Sequence, residues 1–546
     1  MKRLTILYIW NDLTMGGATQ SLIDTLVKMK DKATCIVAIR EKNQIVEYLE
    51  GLDIKYYVLP FSCDYGLIDT CTKQRADQSF VENFEIATQL VSIIREEQIS
   101  LVHINSSTSS MGAMAALLAG IPYIWHIREF LREDFNSDFY DTEIKKELFI
   151  RAKKLISISD CVKDKYQERY GLQTIRLYNG LDIKRFKRKV EKRKYNHKFL
   201  LAGVVSEGKG QWDAVRAVEA LVKQGYSDVE LFIVGDGDEN LRWMIEKYVT
   251  MKNLNHNIHL VSFRKDLSEY RRKVSYSITS SKMEALGRTT IEAMLAGNIV
   301  IGANTGGTKE IIGEEQERGY LYQQGDYANL ACVMQKAMED SDDKKDQMLR
   351  TAQQYAESNF NSEQYCDKLY QVYESAVKND NLDDHSSFVK MLTNKYELIK
   401  QKEVSVCAEK EPDYKTQLQK TRLAYHWTMK WLQVKQKGLS IQDYLQKNNI
   451  DTVAIYGMAK LGCRVYDELE NTQIKVQYVM DRNDKDILKI FKMINPEDEL
   501  PQVDAIIVTV LSQEKELIQW LEKKCNYRIL GLTQIINELI YTSYTE

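Results

Sequence analysis

Proline, cysteine pairs and histidine motifs are scarce in this sequence. Only 5 of the 546 residues are Pro and 26 are Gly, which excludes collagen-like and proline-rich disordered classes. The 9 cysteines form no CxxC pair and no Cys/His cluster, and the 7 histidines include no HExxH motif. Dispersed cysteines favour a reducing compartment and argue against a zinc site. We therefore predict a cytoplasmic chain without a metal site.

Charge of one sign and long apolar runs are also absent. Lys+Arg number 75 against 78 for Asp+Glu, so the net charge of −3 gives no general attraction to nucleic acid. The longest uncharged apolar stretch, Met111–Trp125, contains Pro122 and is shorter than the roughly 20 residues that span a bilayer. The apolar run near the N-terminus is short and precedes no A-x-A site, so we interpret it as a first strand.

Three stretches of the chain alternate short apolar runs with longer amphipathic ones. The runs are apolar on both faces, which is typical of buried parallel strands, and the alternation predicts doubly wound α/β domains. The predicted strands are Leu4–Trp10, Thr34–Ile39, Ser100–Ile104, Ile121–Trp125 and Leu155–Ser159 in the first stretch, Phe199–Val204, Glu230–Val234, Ile258–Leu260, Ser275–Thr279 and Ile299–Ile301 in the second, and Thr452–Tyr456, Val476–Met480, Ala505–Val510 and Tyr527–Leu530 in the third.

These stretches set the predicted domain boundaries. We expect a Rossmann-like domain over 1–180, a second over 198–345, helices over 346–378 that pack back on the core, a helical connector over 379–445, and a small Rossmann-like accessory domain over 446–546.

The segment Ser275–Gly307 carries the most specific pattern. A strand is followed by the loop SSKMEALG, a helix that begins near Gly287, another strand, and a pair of glycines. Ligands of open α/β sheets bind at the carboxyl ends of the strands, which places Glu284 in a ligand-facing loop and Glu292 about two turns along the outgoing helix. The start of that helix offers an anion the backbone N–H groups of Leu286, Gly287 and Arg288.

The same segment resembles glycosyltransferase family 4, retaining transferases with the GT-B fold. The resemblance rests on a Glu, seven residues and a second Glu, here Glu284 and Glu292, and on the flanking EALGRTTIEAMLAG and TGGTKEI. It implies two facing Rossmann-like domains and transfer of a sugar from a nucleotide-diphosphate sugar to an acceptor hydroxyl, without a metal or other cofactor. It further implies that Glu284 contacts the transferred sugar and that Glu292 binds the ribose hydroxyls. The setting it suggests is bacterial cell-surface polysaccharide or glycoconjugate synthesis, with a glycan, lipid-linked or protein acceptor.

Other motifs match the same family. Met15-Gly16-Gly17-Ala18 joins the first strand to helix Thr19–Lys30, and in the family this loop covers the donor diphosphate and sugar. His126 follows a strand in WHIREF, where a His commonly contacts the donor sugar. We assign Arg128 and Glu129 to the acceptor side.

The loop LAGVVSEGKG departs from the family pattern. It matches the family loop at Lys209 and Gly210, where the lysine neutralises the diphosphate, but Val204 stands where an Arg is usual and Gly208 where a Glu is usual. One of two cationic donor contacts is therefore missing from the pattern. This departure favours an alternative function, a non-catalytic GT-B subunit that binds or stabilises a true transferase or its polypeptide acceptor.

Two further segments have open interpretations. Lys184–Lys198 holds nine basic residues and one acid, and is either a solvated linker or a peripheral contact with the inner face of a membrane. In the third stretch, Gly457, Ala459 and Gly462 approximate a GxGxxG fingerprint, with Asp481 ending the next strand, so a dinucleotide site and a purely structural or partner-binding module both remain open. The Asp236-x-Asp238 pair is interpreted as a turn.

Overall fold

The computed structural model describes residues 3–12, 16–189, 194–378, 385–406, 414–482 and 491–545. The chain divides into two compact units, one formed by 1–237 with 253–406 and the other by 238–252 with 407–546. Among the described residues, no helix is both long enough and apolar enough to cross a membrane.

The first unit contains two parallel sheets. The strands of the N-terminal part are β1 (Thr5–Trp10), β2 (Thr34–Ile39), β3 (Lys55–Val58), β4 (Tyr65–Leu67), β5 (Leu101–Ile104), β6 (Tyr123–Ile127), β7 (Ser137–Phe139), β8 (Lys154–Ser157) and β9 (Ile175–Arg176). Seven of them form the first sheet in the order β3-β2-β1-β5-β6-β8-β9, whereas β4 and β7 pair antiparallel. The helices between them are α1 (Gly17–Met29), α2 (Ile45–Gly51), α3 (Lys73–Glu96), α4 (Met111–Ala119), α5 (Leu131–Phe135), α6 (Thr142–Ile150), α7 (Asp160–Tyr170) and α8 (Ile183–Phe186).

The second sheet of this unit has six parallel strands. They are β10 (Lys198–Ala202), β11 (Glu230–Val234), β12 (Ile258–Val261), β13 (Tyr276–Thr279), β14 (Ile299–Ala303) and β15 (Tyr320–Tyr322), in the order β12-β11-β10-β13-β14-β15. The helices of this region and those that follow it are α9 (Gln211–Lys223), α10 (Glu239–Met251), α11 (Ser268–Lys273), α12 (Arg288–Leu295), α13 (Gly306–Ile312), α14 (Tyr327–Glu339), α15 (Asp342–Asn359), α16 (Ser362–Lys378) and α17 (Ser386–Val406).

Buried apolar strands account for the central part of each sheet. Residues 6–10 of β1 and all of β5, β6 and β14 are buried, as expected for strands covered by helices on both faces. Prediction failed at the edges, where β3, β9 and β15 are short and β3 and β9 expose residues, so their sequences carry no continuous apolar run. The predicted strand Ile121–Trp125 begins two residues later, because Ile121 and Pro122 connect the left-handed Gly120 that ends α4 to β6.

Helix α16 returns to the first sheet and covers one of its faces. Its residues Leu369 and Tyr373 are fully buried in the same cluster as Tyr8. The Tyr373 hydroxyl lies 3.1 Å from that of Tyr8 and 2.6 Å from Nδ1 of His103. A helix that follows the second sheet in sequence therefore packs on the first sheet.

The second unit is built on a four-stranded parallel sheet. Its strands are β16 (Thr452–Tyr456), β17 (Lys475–Met480), β18 (Ala505–Val508) and β19 (Arg528–Gly531), in the order β17-β16-β18-β19. Its C-terminal helices are α18 (Tyr414–Gln436), α19 (Ile441–Lys447), α20 (Lys460–Glu470), α21 (Glu514–Lys524) and α22 (Leu532–Thr545). Helix α10 also belongs to this unit, because the Trp243 indole N–H donates to Asp467 at 2.7 Å and its ring stacks on Phe491 at 6.0 Å.

The glycine turn after β16 has a packing role. A Cβ at Gly462 would lie 1.9 Å from the carbonyl oxygen of Gly457, so only Gly lets helix α20 approach the strand end this closely. The backbone N–H of Met458 donates to the Asp481 carboxylate at 2.7 Å. The amide and the acid that a dinucleotide would use therefore bind each other, and the geometry does not support the predicted dinucleotide site.

We expect Gly462→Ala to destabilise the second unit. The added methyl group must displace backbone, which costs about 1–3 kcal/mol in the free energy of unfolding. Urea denaturation followed by circular dichroism measures this loss. Gly51→Ala is the matched control, because nothing lies within 4 Å of a Cβ at Gly51. Identical denaturation curves for the two variants would contradict the packing role.

Candidate functional site

A cleft of about 590 Å³ lies between the two sheets of the first unit. Gly16, Gly17 and Gln20 line it from the side of the first sheet, at the start of α1. On the other side the cleft is lined by residues at the carboxyl ends of β10, β11 and β13, which include Gly203, Val204, Gly235, Asp236, Ser280 and Ser281. The carboxyl ends of the strands thus face a cavity, as in other open α/β sheets.

Glu284 projects into this cleft beside Lys209. Its Oε1 accepts hydrogen bonds from Lys209 Nζ at 2.6 Å and from the Ser281 hydroxyl at 2.6 Å. Lys209 is followed by Gly210 in the left-handed conformation (φ 65°), where a Cβ would lie 2.2 Å from the carbonyl oxygen of Ser280. The structure therefore brings together the catalytic carboxylate and the donor-site lysine that were predicted from the sequence.

Glu292 lies on α12 and also lines the cleft, held between two guanidinium groups. Arg271 Nη2 donates to Oε2 at 2.5 Å, and Arg288 Nε donates to Oε1 at 2.9 Å. Burial alone would raise the pKa of Glu292, but Arg271 and Arg288 outweigh it and hold the pKa below its ordinary value. Glu292 is thus a fixed carboxylate acceptor at neutral pH.

Arg288 links the two sides of the cleft. Its Nη2 donates to Asp24 Oδ2 at 2.8 Å and its Nη1 lies 3.4 Å from the Ser21 hydroxyl, both on α1. The preceding Gly287 caps α12 in the left-handed conformation (φ 85°). Arg288 lines the cleft, whereas Leu286 is buried and neither Leu286 nor Gly287 is among the lining residues. Gly16 and Gly17 occupy the predicted place, and Met15 lies outside the described residues.

His126 is placed differently from the predicted sugar contact. Its imidazole is 0% exposed, accepts a hydrogen bond from the Arg128 guanidinium at 3.2 Å and stacks on His103 at 5.5 Å. Burial first, and then the charge of Arg128, lowers the pKa of His126, so the ring is neutral. Because Nδ1 accepts, the proton lies on Nε2, which has no partner among the described residues. His126 does not line the cleft, and its contact with a donor sugar stays a prediction.

Arg128 and Glu129 lie behind the cleft wall with separate partners. Arg128 donates to the side-chain oxygens of Asn105 at 2.8 Å and Asn179 at 2.6 Å. Glu129 accepts from the Ser107 backbone N–H at 2.5 Å, and burial raises its pKa against the hydrogen bonds of Ser107. Arg128 is buried, Glu129 is half-buried and neither is among the lining residues, so their acceptor-side role also stays a prediction.

Sequence reasoning missed three charged residues of the site. Arg271 on α11 belongs to no motif and meets Glu292 only through tertiary packing. Asp24 could have been found, since it lies on the face of α1 that Gly17 and Gln20 present to the cleft at helical spacing. Burial, and next the charge of Glu284, raises the pKa of Asp134 to about 7, against the effect of Lys209. Asp134 on α5 is therefore close enough to Glu284 for their charges to interact.

Part of the basic segment Lys184–Lys198 is already paired. Lys187 contacts Glu357 at 2.9 Å and Lys198 contacts Glu230 at 2.6 Å, while Arg185 lines the cleft. Residues 190–193 lie outside the described residues. These ion pairs reduce the charge that the described part of the segment could offer to a membrane. No group of three or more His, Cys, Asp or Glu side chains suited to a metal ion occurs in the described ranges.

Two solved structures share this architecture. HepE from Anabaena, crystallised with UDP, superimposes with a TM-score of 0.56 at 20% sequence identity, over 68% of this chain and 100% of that one. A glycosyltransferase from Rickettsia africae superimposes with a TM-score of 0.58 at 18% identity, over 69% and 100% of the two chains. The fold of the first unit is therefore the predicted GT-B fold.

A curated relative from Escherichia coli is a UDP-Gal:alpha-D-GlcNAc-diphosphoundecaprenol alpha-1,3-galactosyltransferase. It is 22% identical over 362 residues, which cover 62% of this chain and 88% of that protein.

Two family models match adjacent parts of the chain. The model described as Glycosyltransferase Family 4 matches residues 66–185, and the one described as Glycosyl transferases group 1 matches residues 182–355. Together they span more than half of the 546 residues and include Lys209, Glu284 and Glu292. The chain belongs to glycosyltransferase family 4.

Proposed function

We propose that this glycosyltransferase moves a hexosyl group, with retention of anomeric configuration, from a UDP-sugar to an acceptor hydroxyl. The observation that carries the proposal is the cleft in which Lys209–Glu284 and the doubly paired Glu292 face the Gly16–Gly17 turn. The HepE structures with UDP and with UDP-glucose support the choice of nucleotide.

In this proposal the donor lies mainly on the second sheet. The carboxylate of Glu292 accepts hydrogen bonds from the ribose hydroxyls, and a carboxylate with two arginine partners still has lone pairs to do so. The diphosphate lies between Lys209 and the start of α1, whose partial positive charge favours an anion. Glu284 orients the sugar, and its own carboxylate is oriented by Lys209 and Ser281.

The bond between the anomeric carbon and the β-phosphate oxygen breaks, and the acceptor oxygen bonds to the same face of that carbon. The proton of the acceptor hydroxyl passes to the departing diphosphate. Negative charge grows on the diphosphate during the step, so Lys209 and the helix dipoles stabilise the transition state more than the ground state. In this proposal Glu284 serves as an orienting group, with its Oε1 held by Lys209 and Ser281.

The acceptor is proposed to enter from the side of the first sheet. The Escherichia coli relative acts on a sugar linked to diphosphoundecaprenol, which supports a lipid-linked or glycan acceptor in cell-surface glycoconjugate synthesis. A membrane-linked acceptor would also give the basic segment around Lys187 a role at the inner face of a membrane. A protein acceptor is a further option that the same cleft accommodates.

One observation favours the second candidate, a non-catalytic subunit. Val204 lines the cleft with 59% of its surface exposed, where a cation would strengthen donor binding. Wild-type protein that binds UDP-sugars but neither hydrolyses nor transfers them would support this candidate over the enzyme.

Replacement of Glu284 by Gln is expected to remove transfer without removing the nucleotide. The amide cannot pair with Lys209, and we expect kcat to fall at least about 100-fold while UDP affinity changes little. A screen of UDP-hexoses identifies the donor. The rate of product release then measures kcat, and calorimetry measures UDP affinity. Glu269→Gln is the control, since Glu269 pairs with the exposed Lys273 and is not among the residues that line the cleft. Equal activity of the two variants would refute the assignment of Glu284.

The stereochemical outcome is a separate test. We expect NMR coupling constants of the newly formed glycoside to report the same anomeric configuration as the UDP-sugar. An inverted product would exclude same-face substitution while leaving the donor site intact.

The pH dependence of donor binding is expected to follow the titration of Asp134. Its raised pKa of about 7 means that a negative charge appears beside Glu284 as the pH rises through 7, which weakens binding of the anionic donor. The folded state also holds this proton more tightly than the unfolded chain, so its contribution to stability is lost between about pH 4 and pH 7.

Comparison of Asp134→Asn with wild type isolates this titration. Calorimetry with the UDP-sugar from pH 6 to pH 8.5 should show wild-type affinity falling relative to the variant, because titration of the ligand is common to both proteins. Asp69→Asn, on an exposed residue, should follow wild type. Parallel profiles for wild type and Asp134→Asn would rule out the effect.

A further inference from the structure

The charges that line the cleft nearly cancel before a donor binds. Lys209 is paired with Glu284, and Arg271 is paired with Glu292 at 2.5 Å. A nucleoside diphosphate in its sugar ester brings about two negative charges, and Val204 offers none in return. A second cation, placed near the phosphates, would therefore complete the site.

Arg288 is the lining cation with the appropriate position. It is the first residue of α12 and its guanidinium reaches Ser21 and Asp24, one to two turns into the helix that begins at Gly17. It therefore spans the cleft from the N-terminus of α12, where an anion is favoured, to the second turn of α1. Arg264 and Lys265 line the part of the cleft beyond β12, and Lys265 lies over the Tyr48 ring at 5.4 Å.

The hydrogen bonds of Arg288 leave it able to bind a phosphate. A guanidinium has five N–H groups in a planar fork. Its contacts with Glu292, Asp24 and Ser21 engage three of them, one weakly at 3.4 Å. Glu292 keeps Arg271 as a partner in any case, so a shift of Arg288 toward a phosphate would not leave that carboxylate unpaired.

We propose that the Arg288 side chain is the second cation of the donor site and donates hydrogen bonds to the diphosphate. The inference rests on the proposed function and adds a specific residue to it. Asp24 holds the guanidinium against α1, the helix that begins at Gly17, and Arg288, Gly16 and Gly17 all line the cleft. Arginine suits this task because its fork matches phosphate oxygens.

Binding of nucleoside diphosphates and of nucleosides separates this role from a structural one. Calorimetry measures the binding of UDP and of uridine to wild type and to Arg288→Ala. GDP and ADP are each compared with their own nucleoside in the same way. We expect UDP affinity to fall at least about 10-fold, with uridine affinity changed less than about 2-fold, because only the diphosphate meets the guanidinium. Retained uridine binding shows that the variant folds.

Two further variants distinguish charge from interdomain contact. Val204→Arg adds a cation at an exposed lining position, and combined with Arg288→Ala it should restore UDP affinity to within about 3-fold of wild type. Asp24→Asn removes the ion pair between Arg288 and α1 and leaves the guanidinium, so its loss of UDP affinity should be smaller than that of Arg288→Ala.

The outcomes against the proposal are distinct. Equal loss of UDP and uridine affinity in Arg288→Ala, or a full loss reproduced by Asp24→Asn and not rescued by Val204→Arg, would assign Arg288 to structure alone. Unchanged UDP affinity in Arg288→Ala would overturn the inference and leave the transferase function standing. Wild type that binds none of the three nucleoside diphosphates would overturn both.

Discussion

The backbone around Glu284 is fixed by an approach that only glycine permits. The N–H of Gly307 donates to the carbonyl oxygen of Glu284 at 2.7 Å, and a Cβ at Gly306, whose φ is 51°, would lie 2.5 Å from that oxygen. A Cβ at Gly307 would meet the backbone of Leu286 at 2.6 Å. The glycine pair therefore fixes the backbone of the loop that carries Glu284, the carboxylate proposed to orient the sugar.

The same loop is contacted from the first sheet, which couples site geometry to closure of the cleft. The Ser159 hydroxyl donates to the carbonyl oxygen of Ala285, the residue after Glu284. Close by, Glu310 accepts from the N–H groups of Asp160 and Cys161 at 3.0 Å each and from the Tyr178 hydroxyl at 2.6 Å. Together with Arg288–Asp24, these contacts close the two sides around the cavity, as closure around a substrate requires. Opening of the cleft must break a contact of the loop that carries Glu284.

The sequence was sufficient to predict those elements that a short run of residues marks by itself. The central strands and the residues Lys209, Glu284 and Glu292 could be predicted because apolar runs and fixed spacings mark strand ends and the loops beyond them. Edge strands such as β9 lack that signal, and Arg271 and Asp24 acquire their roles only through partners distant in sequence. Helix α10 shows the same limit, since it follows β11 as a crossover helix would, yet its Trp243 packs in the second unit.

The two sheets contribute different kinds of group, and this division bears on the chemistry. The region of the second sheet supplies most of the charged residues of the cleft, such as Lys209 and Glu284, whereas the first supplies the glycine turn and Glu47. In the first sheet the neutral His126 binds Arg128, and neither is a lining residue. The Arg128 guanidinium donates hydrogen bonds to the amide oxygens of Asn105 and Asn179, and Arg128 is not among the lining residues. In the proposed reaction, charge that develops on a departing diphosphate would be stabilised mainly by groups that line the cleft, where exclusion of water strengthens their effect. His126 is neutral, fully buried and absent from the lining residues, so it adds no charge to the cleft.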